Sequence, residues 1–136
     1  MDLRLKGKVV VVSGSAGKVG SIGETIVKRL ADEGAIPALV DRNSRGFGYA
    51  EELQKRGIDA IFVQTDVTNP EAMENAIQKI AEKYGRIDAL INNVGVNDGA
   101  GLDATYEEFM NSLKLNMVSY FLLAKFALPY LKESRG

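Results

Sequence analysis

Residues 9–23, Val-Val-Val-Val-Ser-Gly-Ser-Ala-Gly-Lys-Val-Gly-Ser-Ile-Gly, decide the fold of this chain. Four consecutive valines are typical of a strand that is buried on both faces. The four glycines and three serines of segment 13–23 leave the following backbone almost bare. Glycine allows sharp turns and close approach of a ligand, and the free N–H groups at a helix start attract phosphate. The stretch predicts a strand, a phosphate-binding loop and a helix, although a tight turn that binds nothing would also use such glycines.

Length and composition exclude several classes of function. The 136 residues suffice for one domain, expected over 1–136, and a net charge of −1 argues against a nucleic-acid partner. The chain has neither His nor Cys, which excludes a Ser-His-Asp triad, a thiol nucleophile and a zinc site of thiolate or imidazole ligands. It has no apolar stretch of about 18 residues, and residues 1–6 lack the apolar region of a secretory signal. A carboxylate-only Mg²⁺ or Ca²⁺ site stays open, although no loop has EF-hand spacing. We expect a cytoplasmic protein with no membrane partner and no metal.

Apolar runs alternate with helical patterns along the whole chain. Alternation of this kind predicts an α/β fold, a doubly wound parallel sheet with right-handed crossovers. The sequence ends after the fourth strand and a long helix, so we expect a truncated sheet. Strands are predicted at 9–12, 35–40, 60–63 and 87–91, and helices from Ile22 to Gly34, Phe47 to Gly57, Thr68 to Gly85, and Thr105 to about Leu131.

Local signals mark several element ends. Thr68 and Thr105 each precede a Glu at the spacing of a capping box, and both are expected to begin helices. Pro37 suits only the first residues of a strand. Ile22 begins an apolar pattern at helical spacing that continues through Ile26, Val27, Leu30 and Ala31.

Asp41 ends the second strand and is followed by Arg42. A carboxylate at this place can accept both hydroxyls of an adenine ribose and would repel a 2′-phosphate, which favours NAD over NADP. Lys18 and Arg42 leave NADP open as the alternative, because either cation could pair with that phosphate. An exposed Asp that merely begins a turn would also explain the position.

Polar groups also follow the third and fourth strands. Asp66 can meet an adenine amino group while Val67 covers the ring, although Asp at such a place is more often a turn residue. The amides of Asn92 and Asn93 either fix the end of the fourth strand, line a ligand, or do both. Asn116 lies among apolar residues of the long helix and needs a partner inside the fold.

The Gly-rich loop, Asp41, Asp66-Val67, 92–95 and Asn116, in this order, resemble the N-terminal half of a short-chain dehydrogenase/reductase, a Rossmann-type family. The resemblance implies an oxidoreductase that transfers hydride between NAD(P) and an alcohol or carbonyl substrate. It implies that Asn116 supports a proton-relay water. The cofactor-binding residues that the residues and the resemblance together predict are Gly14, Ser15, Lys18, Ile22, Gly23, Asp41, Arg42, Asp66, Val67, Asn93, Val94 and Gly95.

Segments 35–37 and 93–103 resemble the L-fucose (aldose) dehydrogenase branch of that family. The resemblance implies a sugar substrate, with Asn97 and Asp98 offering polar groups to its hydroxyls. A simple Gly-rich connection is the alternative for this loop. The length of segment 14–23 also resembles the enoyl-reductase branch, which remains a second alternative.

The Gly-rich loop departs from the family pattern Thr-Gly-x-x-x-Gly-x-Gly, in which the last glycine lies six positions after the first. Gly20 satisfies that spacing from Gly14, but Gly23 lies nine positions after it. Ile26 and Leu30 follow Gly23 in the phase of the first helix. We therefore place the last glycine of the pattern at Gly23, in a loop about three residues longer than usual.

The catalytic Tyr-x-x-x-Lys pair of the family is absent from residues 1–136. The resemblance places it beyond a fifth strand, so this chain is expected to bind cofactor and to be inactive by itself. The second hypothesis is a non-catalytic fragment that binds nucleotide or self-associates as a homo-oligomer. Its open sheet edge or the long helix would carry the contact, where the apolar residues Leu122, Leu123, Phe126 and Leu128 suit either a buried or a subunit-facing surface.

Overall fold

A computed structural model describes the whole chain, residues 1–136. Strands and helices alternate as the sequence predicts, and the chain has no helix that is both long and apolar enough to cross a membrane. The strands are β1 (Val9–Ser13), β2 (Ile36–Asp41), β3 (Ile61–Gln64) and β4 (Ala89–Ile91). The helices are α1 (Ile22–Asp32), α2 (Arg45–Lys55), α3 (Pro70–Tyr84), α4 (Tyr106–Leu113), a π-helical turn (Lys114–Val118) and α5 (Ser119–Ser134).

The four strands form one parallel sheet in the order β3-β2-β1-β4. The central strand β1 pairs with β2 on one side and with β4 on the other. The chain first builds outward through β2 and β3 and then crosses back to place β4 beside β1. A crevice opens at such a reversal point, outside the carboxyl ends of the strands. The predicted doubly wound parallel sheet is therefore confirmed.

Helices cover both faces of the sheet. Val9 and Val11 point into a core that α3 and α5 complete, while Val10 and Val12 point into a second core that α1 and α2 complete. Each of these valines is at most 1% exposed. The four valines of β1 are therefore buried on both faces of the sheet, as the sequence predicted.

Two helix starts test the capping predictions. Thr105 caps α4, and Glu108 returns a hydrogen bond to it, so that predicted capping box is confirmed. The prediction for Thr68 is wrong, because Asn69 caps α3 by accepting from the N–H groups of the first turn. The Thr68 hydroxyl instead donates to Asp66 at 2.7 Å, which leaves the cap to the next residue.

Several helix and strand boundaries differ from the predicted ones. β4 is shorter than predicted and begins at Ala89, and the long helix is interrupted by the π-helical turn and continues to Ser134. Pro37 is the second residue of β2, and pairing with β3 begins only at Ala38, so its missing N–H breaks no bond with β3. Ile22, which begins the predicted apolar pattern, is the first residue of α1 and is 74% exposed.

At the amino-terminal edge of the sheet, Asp88 joins β1 to the segment before β4. Its buried carboxylate accepts from the Val9 N–H at 2.9 Å and from the Arg86 guanidinium at 2.8 Å, and Lys8 lies 3.5 Å away. Burial raises the pKa of Asp88, but the bonds from Arg86 and Val9 outweigh burial and hold it below its ordinary value of 3.8. The folded state therefore favours the carboxylate.

We expect Asp88→Asn to lower the free energy of unfolding by about 1 kcal/mol at pH 7, because the neutral amide loses its charged partners. A lowered pKa in the folded state stabilises the protein above the ordinary carboxyl value, and that stabilisation disappears as the pH falls through the folded-state value. The difference between wild type and variant should therefore shrink below pH 3.8. Urea unfolding at several pH values measures it.

Asp32→Asn is the matched control. Asp32 pairs with Arg56 at 3.4 Å, but both side chains are about half exposed. This pair should contribute little at any pH. Equal effects of the two substitutions would contradict the role assigned to Asp88.

Candidate dinucleotide-binding cleft

A cavity of about 580 Å³ lies at the carboxyl ends of all four strands. The loop after β1 forms its floor, and the segments that follow β2, β3 and β4 form its walls. The cavity is also lined by eight residues that the sequence analysis did not name individually as cofactor-binding: Gly17, Val19, Gly20, Ser21, Asn43, Thr65, Val96 and Leu115. The predicted residues that the fold brings together here are Gly14, Lys18, Ile22, Gly23, Asp41, Arg42, Asp66, Val67, Asn93, Val94 and Gly95.

Two predicted site residues lie elsewhere. Ser15 is fully buried, and its hydroxyl donates to the Val40 carbonyl at 3.4 Å, so it supports the loop from below and does not face the cavity. Asn116 lies behind the cavity wall. Its Oδ1 accepts from the Val96 N–H at 2.8 Å, and its Nδ2 donates to the Ser112 carbonyl at 3.1 Å. The predicted internal partner of Asn116 is therefore the cavity-lining loop.

The glycines of the loop have distinct roles. A Cβ on Gly23 would overlap the Gly14 carbonyl oxygen and would also press on the Asn93 side chain. Gly20 has a positive φ of 76° but open space around it. Gly23 is thus the glycine that the packing of helix against strand requires, which supports the register chosen from the sequence, and Gly20 serves a turn.

Three side chains from outside the loop hold its backbone. Asp41 accepts from the Ala16 N–H at 2.8 Å, Arg45 donates to the Gly17 carbonyl at 2.6 Å, and Glu24 accepts from the Gly20 N–H. Arg45 also donates to the hydroxyl of Tyr49, whose ring lies 5.4 Å from its guanidinium. These contacts give one conformation to a loop that is rich in glycine.

Several N–H groups of the same loop make no hydrogen bond within the chain. They belong to 17–19 and to Ile22 and Gly23, the first two residues of α1. Free N–H groups at a helix start carry the positive end of the helix dipole. With Lys18 also lining the cavity, this floor offers a site for an anion.

The wall at β2 and β3 carries the negative groups. Each oxygen of Asp41 accepts one backbone N–H, from Ala16 or Asn43 at 2.8 Å, and keeps a second lone pair free. Asp66 accepts from Thr68, and these bonds lower the pKa of Asp66, with the Arg42 charge adding a smaller effect in the same direction. Both groups can accept hydrogen bonds from a ligand.

The wall at β4 is tied to the floor by Asn93. Its backbone N–H donates to the Ser13 hydroxyl at 3.1 Å, and its Nδ2 donates to the Gly14 carbonyl at 2.9 Å. Asn93 therefore does both things that the sequence left open: it fixes the strand end and it lines the cavity. Asn92 faces the other way and donates to the Tyr120 carbonyl at 3.3 Å.

The side chains that hold the loop differ in how readily the sequence predicts them. Ser21 accepts from the Glu24 N–H, and the Ser-x-x-Glu spacing is the signal of a capping box that sequence reasoning overlooked. Arg45 carries no such signal, because its partner Gly17 is 28 residues away and is reached only when α2 packs on the sheet.

The chain resembles known proteins over nearly its whole length. Residues 8–136 match the family model described as short chain dehydrogenase. The L-fucose dehydrogenase of Oryctolagus cuniculus is 36% identical over 135 residues, which cover 98% of this chain and 45% of that protein. Meso-2,3-butanediol dehydrogenase of Serratia marcescens is 32% identical, with 98% and 52% covered. The chain thus spans about half the length of the curated relatives that it matches.

Solved structures of related enzymes have the same fold as this chain. The L-sorbose reductase from Gluconobacter frateurii, complexed with NADPH and L-sorbose, superposes with a TM-score of 0.90 at 29% identity, covering 98% of this chain and 51% of that one. The NADH-dependent reductase A1-R′, complexed with NAD, gives 0.83 at 27% identity, with 98% and 56% covered. The resemblance seen in the sequence is confirmed, and the chain belongs to the short-chain dehydrogenase family of oxidoreductases.

Proposed function

We propose that this chain binds a nicotinamide dinucleotide in the cleft and forms the cofactor-binding part of an oxidoreductase acting on a sugar or a similar alcohol. One observation carries the proposal: the floor of the cavity presents free N–H groups at the start of α1, and carboxylates with free lone pairs stand beside them. A pyrophosphate matches the first feature, and a ribose and an adenine amino group match Asp41 and Asp66.

The order of the strands supports one orientation of the cofactor. The cavity wall runs from Asp66 after β3, through Asp41 after β2 and the loop after β1, to Asn93 after β4. An adenosine over the two carboxylates and a pyrophosphate over the loop leave the nicotinamide half beside β4. When bound, the cofactor supplies the hydride acceptor or donor.

Asp41 leads us to propose NAD as the preferred cofactor. Its ionised carboxylate would lie next to a 2′-phosphate and repel it. Lys18 and Arg42 line the same part of the cavity and would offset some of that repulsion. The related structures are complexed with NADPH in one case and with NAD in another. The balance of charges in this chain makes NAD the better match.

Residues 1–136 do not contain the Tyr-x-x-x-Lys pair that the family uses to exchange a proton with the substrate. None of the five tyrosines is followed four residues later by Lys; Tyr106, Tyr120 and Tyr130, for example, precede Met110, Ala124 and Ser134. We propose that this chain binds cofactor without turnover when it is alone. The names of the relatives support a sugar or diol substrate for a complete enzyme. The loop with Asn97 and Asp98 follows the cofactor wall and is our choice for the substrate side.

A second candidate function, self-association, is favoured by exposed apolar surface. Leu123 is buried and Leu122 and Phe126 are half-buried in the core, so these three predicted residues cover the sheet. Phe121 and Leu128 are exposed on the same helix, and β4 pairs only with β1 and leaves its other edge open. We propose a homo-oligomer on this ground, and light scattering at increasing concentration tests it.

We expect Asp41→Asn to weaken NAD binding about tenfold, because a charge-assisted hydrogen bond to the ribose is lost. The same change should leave NADP binding less affected, so the ratio of the two dissociation constants should move toward NADP. Isothermal titration calorimetry with both cofactors measures this ratio. A variant that loses affinity for both in equal proportion would contradict the assignment, and Asp32→Asn serves as the remote control.

We expect Gly23→Ala to weaken binding of either cofactor more than about tenfold, because its methyl group must displace the start of α1 from Gly14. Gly48→Ala is the matched control, since a Cβ there meets nothing within 4 Å on the exposed face of α2. That control should keep full affinity and unfold at a slightly higher temperature. Unchanged binding by the Gly23 variant would contradict the proposed position of the pyrophosphate.

A further inference from the structure

The segment after β4 is held in place by side chains. β4 ends at Ile91, and the backbone of residues 93–96 makes no hydrogen bond to another backbone group. The Asn93 N–H donates to the Ser13 hydroxyl, and the Val96 N–H donates to Asn116. Between them, the Tyr120 hydroxyl donates to the Val94 carbonyl at 2.6 Å, the shortest of these contacts.

Tyr120 contacts the segment at two points. Besides its hydroxyl bond to Val94, its backbone carbonyl accepts from Asn92 Nδ2 at 3.3 Å. The Tyr120 ring is half-buried against the core formed by α3 and α5. No other group of the chain donates to the Val94 carbonyl. The tyrosine therefore connects α5 directly to the middle of the segment after β4, between the bonds that hold Asn93 and Val96.

The position of this contact gives it a functional consequence. Val94, Gly95 and Val96 line the cavity on the side of β4, away from the carboxylates at β2 and β3. A dinucleotide in the orientation proposed above lays its nicotinamide half against that wall. The depth of the wall depends on where the Val94 carbonyl is held. A shift of the segment would thus affect one half of the cofactor and leave the other half's contacts intact.

We propose that Tyr120 is a positioning residue for the nicotinamide half of the cofactor, acting through its hydrogen bond to the Val94 carbonyl. The inference rests on the proposed dinucleotide function and adds a residue from α5 that does not itself line the cavity. Its phenolic hydroxyl matters here as a hydrogen-bond donor only.

The substitution Tyr120→Phe tests the proposal, since it removes one oxygen and keeps the packed ring. Titrations of the whole chain use two probes, ADP for the adenosine half and NADH for the complete cofactor. We expect ADP affinity to stay within twofold of wild type. NADH affinity should fall roughly three- to tenfold, the range of a single lost hydrogen bond. The fluorescence of bound NADH should also shift toward that of the free cofactor.

Tyr130→Phe is the matched control on the same helix, because Tyr130 packs against the same core and its hydroxyl makes no hydrogen bond within the chain. It should bind both probes like wild type. An equal loss of ADP and NADH affinity in Tyr120→Phe, or unchanged NADH affinity and fluorescence, would overturn the positioning role. A wild-type chain that binds neither probe would instead overturn the proposed function, and this inference with it.

Discussion

The contact of Gly23 with the Gly14 carbonyl is the constraint on which the rest of the site depends. No side chain fits between the start of α1 and the end of β1, and the Asn93 amide closes the remaining space by donating to the same carbonyl. This packing brings the free N–H groups of α1 to the reversal point of the sheet. It also aligns the ends of β1 and β4. The anion site that we propose therefore lies where the four strand ends meet.

Polar groups at the amino-terminal ends of the strands are paired within the chain, whereas several at the carboxyl ends are not. At the amino-terminal edge, Asp88 is surrounded by Arg86, Lys8 and the Val9 N–H, so its charge and the strand ends are satisfied within the chain. At the carboxyl edge, N–H groups of the loop and a free oxygen lone pair on each carboxylate remain available. Groups that can still accept or donate hydrogen bonds therefore lie at the carboxyl ends of the strands, where we propose that the ligand binds.

Sequence periodicity was sufficient for the architecture but not for contacts between distant segments. The valines of β1 predicted burial on both faces because side chains alternate along a strand. Thr68 looked like a helix cap by spacing alone, yet Asn69 competes for the same N–H groups, and Thr68 is drawn to Asp66. Ile22 begins the apolar pattern of α1, yet as the first residue of the helix it is exposed and lines the cavity. Local rules fail where neighbouring residues compete for one partner.

The sequence by itself determined the alternation of strands and helices, the glycine loop after β1 and the polar residues after each strand, because these depend on residue type and short spacing. The tertiary structure alone decided that Ser15 turns away from the cavity, that Arg45 latches the loop, and that Tyr120 supports the end of β4. Each of these contacts joins residues at least 25 positions apart. Such distances close only when helices pack on the sheet, since no local pattern encodes them.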